Sequence, residues 1–594
     1  MMMQSLMGLY DRLRNDCDDG SPRVGSEGFT VEKVRWVVTI DEAGRTVGLN
    51  HFSDSSNSKK GGFRLMAVPA HGDRTSAPKA FFLCDTPAYL FGVPAKKSGK
   101  KHALARELHL AVLTGCKDSA ARAISGFFSR DDVADDLSDE DRRALEDDQG
   151  LAVFRIAGRP GYAHDDPSIA EAWVSYRRQE EMEGAEVGQC SVTGQVGPLA
   201  QLFPSVSGVP GAQAAGAKLI SYNKDSFTSF GKDQTYNASM SKDAAFRAGS
   251  ALRYLYRSDA NKVRFGDTMV LFWCDSAGKE REEVFLRFAF SGASSDNDDL
   301  DSLKQSLLDL RAGRPLSQLD LDARFHILGI SPNAGRLAVR FYFVDTLASF
   351  TENFGQYLRD IEMVGCKATS IYAFMRQAAL LGKDENVPQT VANACMTAML
   401  KGALFPRLLF QSVLSRMRAD HGEKHKWDRA ERAAIMKGYL VRKARLLKQE
   451  IPEERRLTVS LSITNDDPGY LLGRLFACCE NAQQGARGSV GSSVVDRYIA
   501  SASATPARTF PILLRALQND VSKLRKEKPG LAIKLDKCVA SIFALADGDE
   551  ALPATLTEEQ QGCFFIGYYQ QREALFLSSA KKETDQESNS DEEE

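Results

Sequence analysis

Residues 190–237 read CSVTGQVGPLAQLFPSVSGVPGAQAAGAKLISYNKDSFTSFGKDQTYN, and the fold turns on whether this stretch is a linker or part of a domain. It carries hardly a charge before Lys218, is rich in Gly, Ser, Thr, Asn and Gln, and has no sustained hydrophobic period. That composition usually marks a disordered connector. Linkers, however, rarely hold Phe203, Val206, Val209, Leu219, Ile220, Tyr222, Phe227, Phe230 and Tyr236. The tract therefore reads as an ordered irregular segment, in which Gly208, Gly211, Gly216 and Gly231 permit positive φ and close backbone approach. A self-packed surface loop is the alternative reading. From Ser221 to Asn237, hydroxyls and amides alternate with Lys224, Lys232 and aromatics, a chemistry suited to phosphates and bases.

Working outward toward the N-terminus, Arg35–Ile40 and Thr46–Leu49 flank Asp41-Glu42-Ala43-Gly44, a hairpin signal. Two basic Gly/Ser loops follow, one with Lys59, Lys60 and Arg64, the other with Lys96, Lys97, Lys100, Lys101 and His102. Loops of this kind can wrap a phosphate backbone, although charged exposed loops are also commonplace. Phe81–Asp85 and Ala152–Ile156 read as strands, His102–Phe128 and Ile169–Met182 as helical, and the acidic run Asp131–Asp148 as a solvated helix and connector. Beyond the tract, Ser241 and Asp243 open a helix over Ala244–Tyr256. Met269–Cys274, Val284–Phe290 and Arg336–Phe343 read as strands, the last after the turn Ser331-Pro332-Asn333-Ala334-Gly335. Residues 1–345 are thus expected to form an α+β region of antiparallel, mostly local strand pairs with long irregular loops.

After Leu347 the strand signal nearly ends, and only Leu457–Ile463 shows a brief period of two. Residues 388–415 and 428–448 carry apolar residues at helical spacing, broken at Pro406. Asp467-Pro468 caps a helix over Gly469–Ala482, a further helix covers Pro511–Lys526, and Thr557-Glu558-Glu559-Gln560 is a capping box for the last. Residues 346–580 are expected to be an all-α bundle, and residues 581–594 an acidic disordered tail.

The composition is that of an ordinary soluble protein, and a net charge of −3 gives no global sign of nucleic-acid binding. The sign is segregated, however: from Lys401 to Arg456, Lys and Arg outnumber Asp and Glu by about eight. The 11 cysteines include no CxxC and read as thiols in a reducing cytoplasm. The N-terminus is too charged for a secretory or membrane segment. No catalytic constellation stands out. The eight histidines form no HxH or HExxH pair, and His164-Asp165 reads as a turn ahead of Pro167. His421 and His425 lack a third ligand, and neither a nucleophile elbow nor a phosphate loop is present. No metal or cofactor is expected.

The sequence resembles the large subunit of the type I-C CRISPR interference complex, Cascade. The resemblance is carried by Cys190-Ser191-Val192-Thr193-Gly194, Gly208-Val209-Pro210-Gly211-Ala212-Gln213 with Gly216-Ala217, and Ser221-Tyr222-Asn223 through Ser226-Phe227, Gly231, Gln234 and Asn237. It continues at Leu328–Ala334 with Arg336 and Arg340, Leu472–Ala477, Ala502–Pro506 and Gly567–Arg572, all in one order along the chain. It implies a non-catalytic subunit of an RNA-guided surveillance complex. Guide pairing reads the target, while the large subunit reads a short PAM in double-stranded DNA and helps open it. It further implies PAM sensing and guide-RNA contact by the N-terminal region, and a C-terminal bundle like the small subunits lining the opened strands. That part can be made separately from an internal start, for which Met417 and Met436 are available. The implied partners are the guide RNA, target DNA, backbone, guide-end-binding and small subunits, and a helicase-nuclease that does the cutting. No membrane partner is implied.

On this basis Lys59, Lys60, Arg64, Lys96, Lys97, Lys100 and Lys101 are candidates to hold DNA phosphates. Ser221, Asn223, Lys224, Ser226, Ser229, Lys232, Gln234 and Asn237 are candidates to approach PAM bases or the guide end. Lys437, Arg442, Lys443, Arg445 and Arg474 are candidates for a separated strand, or a solvated helical face. The tract amides have a structural alternative, satisfying backbone groups of an irregular loop. For the whole chain the rivals are a nuclease with scattered metal ligands and a purely structural scaffold.

Overall fold

Asp41 turns the chain between the strands Phe29–Ile40 and Thr46–His51, its Oδ1 accepting from the backbone N–H groups of Ala43 and Arg45 at 2.9 and 2.8 Å. This predicted hairpin is present in the computed structural model of the chain. The structure describes residues 1–14, 17–18, 21–52, 62–71, 78–183, 185–213, 216–276, 278–292, 300–314, 316, 319–366, 370–383, 386–420, 426–488, 492–546 and 552–590. Of these, residues 17–18, 21, 95–97, 300–304, 307, 381, 389, 426–428 and 577–590 are described by backbone alone. Lys59, Lys60, His421 and His425 lie outside the described residues. The chain divides into two units, residues Met1–Asp259, Asp275–Ala277 and Ile330–Tyr342, and residues Ala260–Cys274, Gly278–Gly329 and Phe343–Glu594.

In the first unit Phe29–Ile40 is central. It pairs antiparallel with Thr46–His51 and with Arg64–Pro69, and parallel with Leu151–Ile156, which in turn pairs with Cys84–Asp85. The sequence predicts antiparallel, mostly local pairs, and this parallel, distant one is a correction. A parallel partner needs a long crossover, supplied here by the helices Ala95–Val112, Ser119–Ser129 and Asp139–Asp147. Their buried faces, among them Ala105, Ile124, Phe127, Phe128 and Leu145, join Trp36, Val38 and Phe154 in one core. The helical pattern expected over His102–Phe128 is carried by two of these helices, Ala95–Val112 and Ser119–Ser129. The second basic loop is instead the opening of a helix, with Lys96, Lys97, Lys100 and Lys101 in its first two turns.

His109 lies fully inside this core, stacked on Phe128 with ring centroids 3.7 Å apart. Its Nε2 accepts from Leu83 N–H at 2.9 Å, so Nδ1 carries the proton and donates to Ala105 O at 2.6 Å. Burial holds its pKa down at about 3. The unfolded chain therefore binds a proton that the folded one refuses as pH falls from about 6.5 toward 3. Stability attributable to this group is intact above about pH 6.5 and lost below it, by roughly 2 kcal/mol at about pH 5. Burial lowers the pKa values of His102 and His164 too, and both remain in a His109→Gln variant. Denaturant titrations of that variant at about pH 7 and about pH 5 should show the difference between the two shrinking by this amount. An unchanged difference would remove His109 from the account.

In the second unit Lys262–Phe265 and Thr268–Cys274 form a hairpin, and the strand expected at Val284–Phe290 is a helix, Glu280–Ser291. A short apolar run does not distinguish a buried strand from a buried helix. Here the ends decide: Glu280, Glu282 and Glu283 fill the first turn, and Gly292 (φ 73°) closes the last by donating to Phe288 O at 2.7 Å. Glu283 also accepts from Cys274 N–H and Asn261 Nδ2, at 3.0 and 2.8 Å, which fixes the helix against the hairpin. From Leu347 onward the unit is helical: Leu347–Asp360, Ile371–Arg376, Gln389–Lys401, Arg407–Ala419, Lys426–Leu446, Pro468–Arg487, Val494–Ala504, Pro506–Glu527, Pro529–Phe543 and Glu558–Ser590. Residues 457–463 are irregular. They are strapped down by side chains, with Gln570 Nε2 donating to Thr458 O and Tyr470 Oη accepting from Ser462 N–H.

Candidate nucleic-acid interface

The tract 190–237 is threaded into the first unit. Ser191 N–H and Oγ donate to Ser239 O and Ala238 O, and Ala200 N–H to Met240 O, so both ends are tied together. Phe203, Val206, Val209 and Ala217 are buried. Ser205–Val206 pairs antiparallel with Ala217–Lys218, and Lys218 pairs parallel with Arg336 at the start of the strand Arg336–Thr346. Gln213 N–H and Lys218 N–H donate to Ala334 O and Gly335 O, joining the tract to the turn that precedes this strand.

What the tract leaves outside is polar and basic. Asn223, Lys224, Ser226, Ser229 and Lys232 are exposed, and Ser221 is half-buried. Phe230, at the tip of the loop, is 98 % exposed and held at φ 53°, a left-handed conformation that a bulky residue rarely adopts. Arg336 lies over the Phe227 ring at 4.6 Å, and exposed Arg340 donates through Nε to Ser331 Oγ at 2.6 Å. The two tract amides differ in use. Asn237 accepts from Ser229 N–H at 2.8 Å and donates to Lys232 O and Gln234 O at 2.8 and 2.9 Å, so its side chain is the internal brace of the loop. Gln234, at φ 47°, has its Oε1 buried with no hydrogen-bond partner among the described residues. A buried acceptor left unpaired is disfavoured by about 1–3 kcal/mol.

The other predicted residues scatter. Arg64 is exposed at the start of its strand, Lys100 is exposed, and Lys101 Nζ lies 5.7 Å from the Tyr89 ring centroid. The side chains of Lys96 and Lys97 lie outside the description. In the second unit Lys437, Arg442 and Arg474 are buried, which takes them from any surface on which a strand would lie. Arg442 reaches Asp360, Ala398 O and Ala403 O; Lys437 donates to Asp360 O; and Arg474 donates to Gln571. Lys443 pairs with Glu559 and Arg445 with Asp360. A basic helical face and an internal ion network have the same sequence pattern, and only packing separates them.

Three of the described histidines are engaged within the fold. His51 pairs with Asp148 at 3.2 Å, His102 Nδ1 contacts Tyr89 O at 2.9 Å, and His164 lies in a short turn, Ala163–Asp165, ahead of the helix Pro167–Met182. Among the described residues no three His, Cys, Asp or Glu side chains are placed to hold a metal ion, and no helix is long and apolar enough to cross a membrane.

A protein-family model described as CRISPR-associated protein (Cas_Csd1) matches residues 6–576. The chain belongs to this family. A search of the curated proteins found no match. Cas_Csd1 proteins are the large subunit of type I-C Cascade, which places this one beside a CRISPR RNA and other Cas subunits. The sequence blocks that resembled this family acquire physical reasons in the fold. Cys190–Gly194 is the turn between the paired segments Val187–Gln189 and Val196–Pro198. Leu472–Ala477 and Gly567–Arg572 face each other on the helices Pro468–Arg487 and Glu558–Ser590. There a Cβ on Gly473 would overlap Phe564 O, and one on Gly567 would overlap Tyr470 O. Tyr568 Oη donates to Glu480 at 2.8 Å, and Arg572 Nε lies 3.3 Å from the same carboxylate.

Phe230, Arg336 and Arg340, which the fold gathers at this edge of the tract, are not among the candidates read from the sequence. The cue available was the resemblance itself, which included both arginines; nothing in the sequence says which of the tract's many aromatics stays outside.

Proposed function

We propose that this Cas_Csd1 protein reads the PAM in double-stranded DNA through the outer edge of the tract 221–237 and promotes duplex opening and R-loop formation. In this reading residues 1–345 sense the PAM and contact guide RNA and DNA. Residues 346–580 stand in for small subunits and stabilise the separated strands, and a helicase-nuclease recruited to the complex cuts. The carrying observation is Phe230, an aromatic ring held in solvent by a strained loop whose neighbours are exposed lysines, hydroxyls and one buried amide oxygen without a partner among the described residues. Rings presented this way stack on bases, and the interaction is worth about 1–3 kcal/mol per base. Lys224, Lys232, Arg336 and Arg340 would set affinity through phosphates, while exposed Asn223 has the donor and acceptor to read base edges and Gln234 would add its amide N–H groups.

The test is binding of duplexes carrying every PAM variant to assembled Cascade, with this chain, without it, and with single variants. Phe230→Ala should weaken binding to the preferred duplex by roughly 5- to 150-fold. Lys224→Ala should weaken all sequences alike and flatten the salt slope by about one. Gln234→Ala should act on the preferred PAM only. Full affinity without this chain would leave it a scaffold, and metal-dependent cleavage of labelled DNA by the chain alone would make it a nuclease.

A further inference from the structure

The helices Pro468–Arg487 and Pro529–Phe543 meet through two thiols. Cys478 Sγ and Cys538 Sγ stand 3.3 Å apart, in direct contact. A disulfide requires about 2.05 Å, so closing the gap needs a side-chain adjustment of about an ångström. The two sulfurs differ in access: Cys478 is buried, whereas Cys538 is partly open to solvent.

Two cations sit one helical turn before the thiols, Arg474 before Cys478 and Lys534 before Cys538. The charge of Arg474 acts on both sulfurs and that of Lys534 on Cys538. Arg474 is itself 2 % exposed. Its Nε donates to Gln571 Oε1 at 3.1 Å, but its Nη1 is buried without a hydrogen-bond partner among the described residues. A guanidinium charge near a thiol favours its thiolate form. The hydrogen bond from Cys478 together with these cations draws the Cys538 thiol below its ordinary range, while that bond and burial push Cys478 up.

We propose that Cys478 and Cys538 form a redox-sensitive dithiol that a peroxide closes to a disulfide, stapling the helix Pro529–Phe543 onto Pro468–Arg487. The Cys538 thiolate attacks one peroxide oxygen. The O–O bond breaks, hydroxide leaves and takes up a proton as water, and Cys538 becomes a sulfenic acid. The Cys478 sulfur then attacks the Cys538 sulfur, the S–O bond breaks, and a second water leaves with the Cys478 proton. Two thiols have lost two electrons, and one peroxide has been reduced to two waters. Reduced glutathione or a dithiol reductant reverses the step, so a reducing cytoplasm keeps the pair open and an oxidative burst closes it.

The full-length chain, treated with hydrogen peroxide and then alkylated, tests this by peptide mapping. The expected result is a cross-link joining the Cys478 and Cys538 peptides with loss of two hydrogens, fully reversed by dithiothreitol. The denaturation midpoint of the oxidised chain should lie above that of the reduced one. Cys538→Ser should abolish the link and leave Cys478 alkylatable, and Cys538→Ala is the substitute if the serine does not fold. The proposal is overturned if both thiols stay alkylatable in excess peroxide, if Cys538 runs on to the sulfinic acid without a link, or if the links formed join other cysteines.

Discussion

Replacing Gly473 by alanine is expected to destabilise the C-terminal helices by about 3–5 kcal/mol, one of the two largest effects of any single change considered. The helices Pro468–Arg487 and Glu558–Ser590 approach so closely that a methyl group at Gly473 would overlap Phe564 O and press on the backbone of Tyr568. Both obstacles are main chain within a helix, so no rotamer change relieves them. The helices must move apart by about an ångström or more, enough to forfeit much of the dispersion contact along the seam. The separation would also pull Tyr568 from Glu480 and Arg474 from Gln571, bonds now made inside the seam. Leaving those groups buried and unpaired adds about 1–3 kcal/mol each at the upper limit. Gly530→Ala is the control, because a Cβ there meets nothing within 4 Å. It should be neutral or slightly stabilising, as alanine is the better helix former. Denaturant unfolding of the two variants, followed by near-ultraviolet circular dichroism, checks the expectation, and wild-type stability for Gly473→Ala would refute the close approach.

The second large effect is expected from Asp360→Ala. Asp360 and Arg442 are each 1 % exposed, with Arg442 Nη1 3.3 Å from Asp360 Oδ2, and Arg445 Nη2 is 2.6 Å from the same oxygen. Gln356 Nε2 donates to the other carboxylate oxygen at 2.9 Å. Arg442 lies over the Phe405 ring and satisfies Ala398 O and Ala403 O, at and just beyond the end of the helix Gln389–Lys401, where carbonyls otherwise lack partners. Removing the carboxylate leaves that guanidinium buried with no counter-charge, which typically destabilises by about 3–5 kcal/mol. Burial already draws the Arg442 pKa down, with Asp360 opposing the fall. The double variant Asp360→Leu with Arg442→Met should recover part of the loss, because an apolar pair often replaces an ion pair at little net change. Recovery stays partial here, since Ala398 O and Ala403 O lose their donor. A double-mutant cycle measures the coupling, and additive losses would show that the pair does not act as a unit.

The two experiments concern residues that a sequence reading places differently. Arg442 and Lys437 lie in a run where basic residues predominate, and such a run points to a strand of nucleic acid. In the fold they form an internal network around Asp360, a residue about eighty positions away in sequence. Gly473 sits in a block recognisable as a family signature, yet the reason for that glycine is a helix that begins at Glu558. The tract 190–237 divides the same way. Its aromatics suggested order, and Phe203, Tyr222, Phe227 and Tyr236 are indeed buried or half-buried, but Phe230 is exposed to solvent.

The sequence by itself determined the class of fold through local signals: the Asp41–Gly44 hairpin, the caps at Ser241, Asp467 and Thr557, and the loss of strand periodicity after Leu347 each act within a few residues. It determined the family through the blocks that resemble it, from Cys190–Gly194 to Gly567–Arg572. It also misread Val284–Phe290, where an apolar run is the same for a buried strand and a buried helix and the ends had to be weighed. Tertiary structure decided what depends on distant partners. It made Leu151–Ile156 the parallel neighbour of Phe29–Ile40, turned cations at 437, 442 and 474 inward, brought Cys478 to Cys538, and left Phe230 in solvent. The physical reason is common to all four. Burial, counter-charge and contact are properties of pairs brought together by folding, whereas propensity and capping belong to neighbours along the chain.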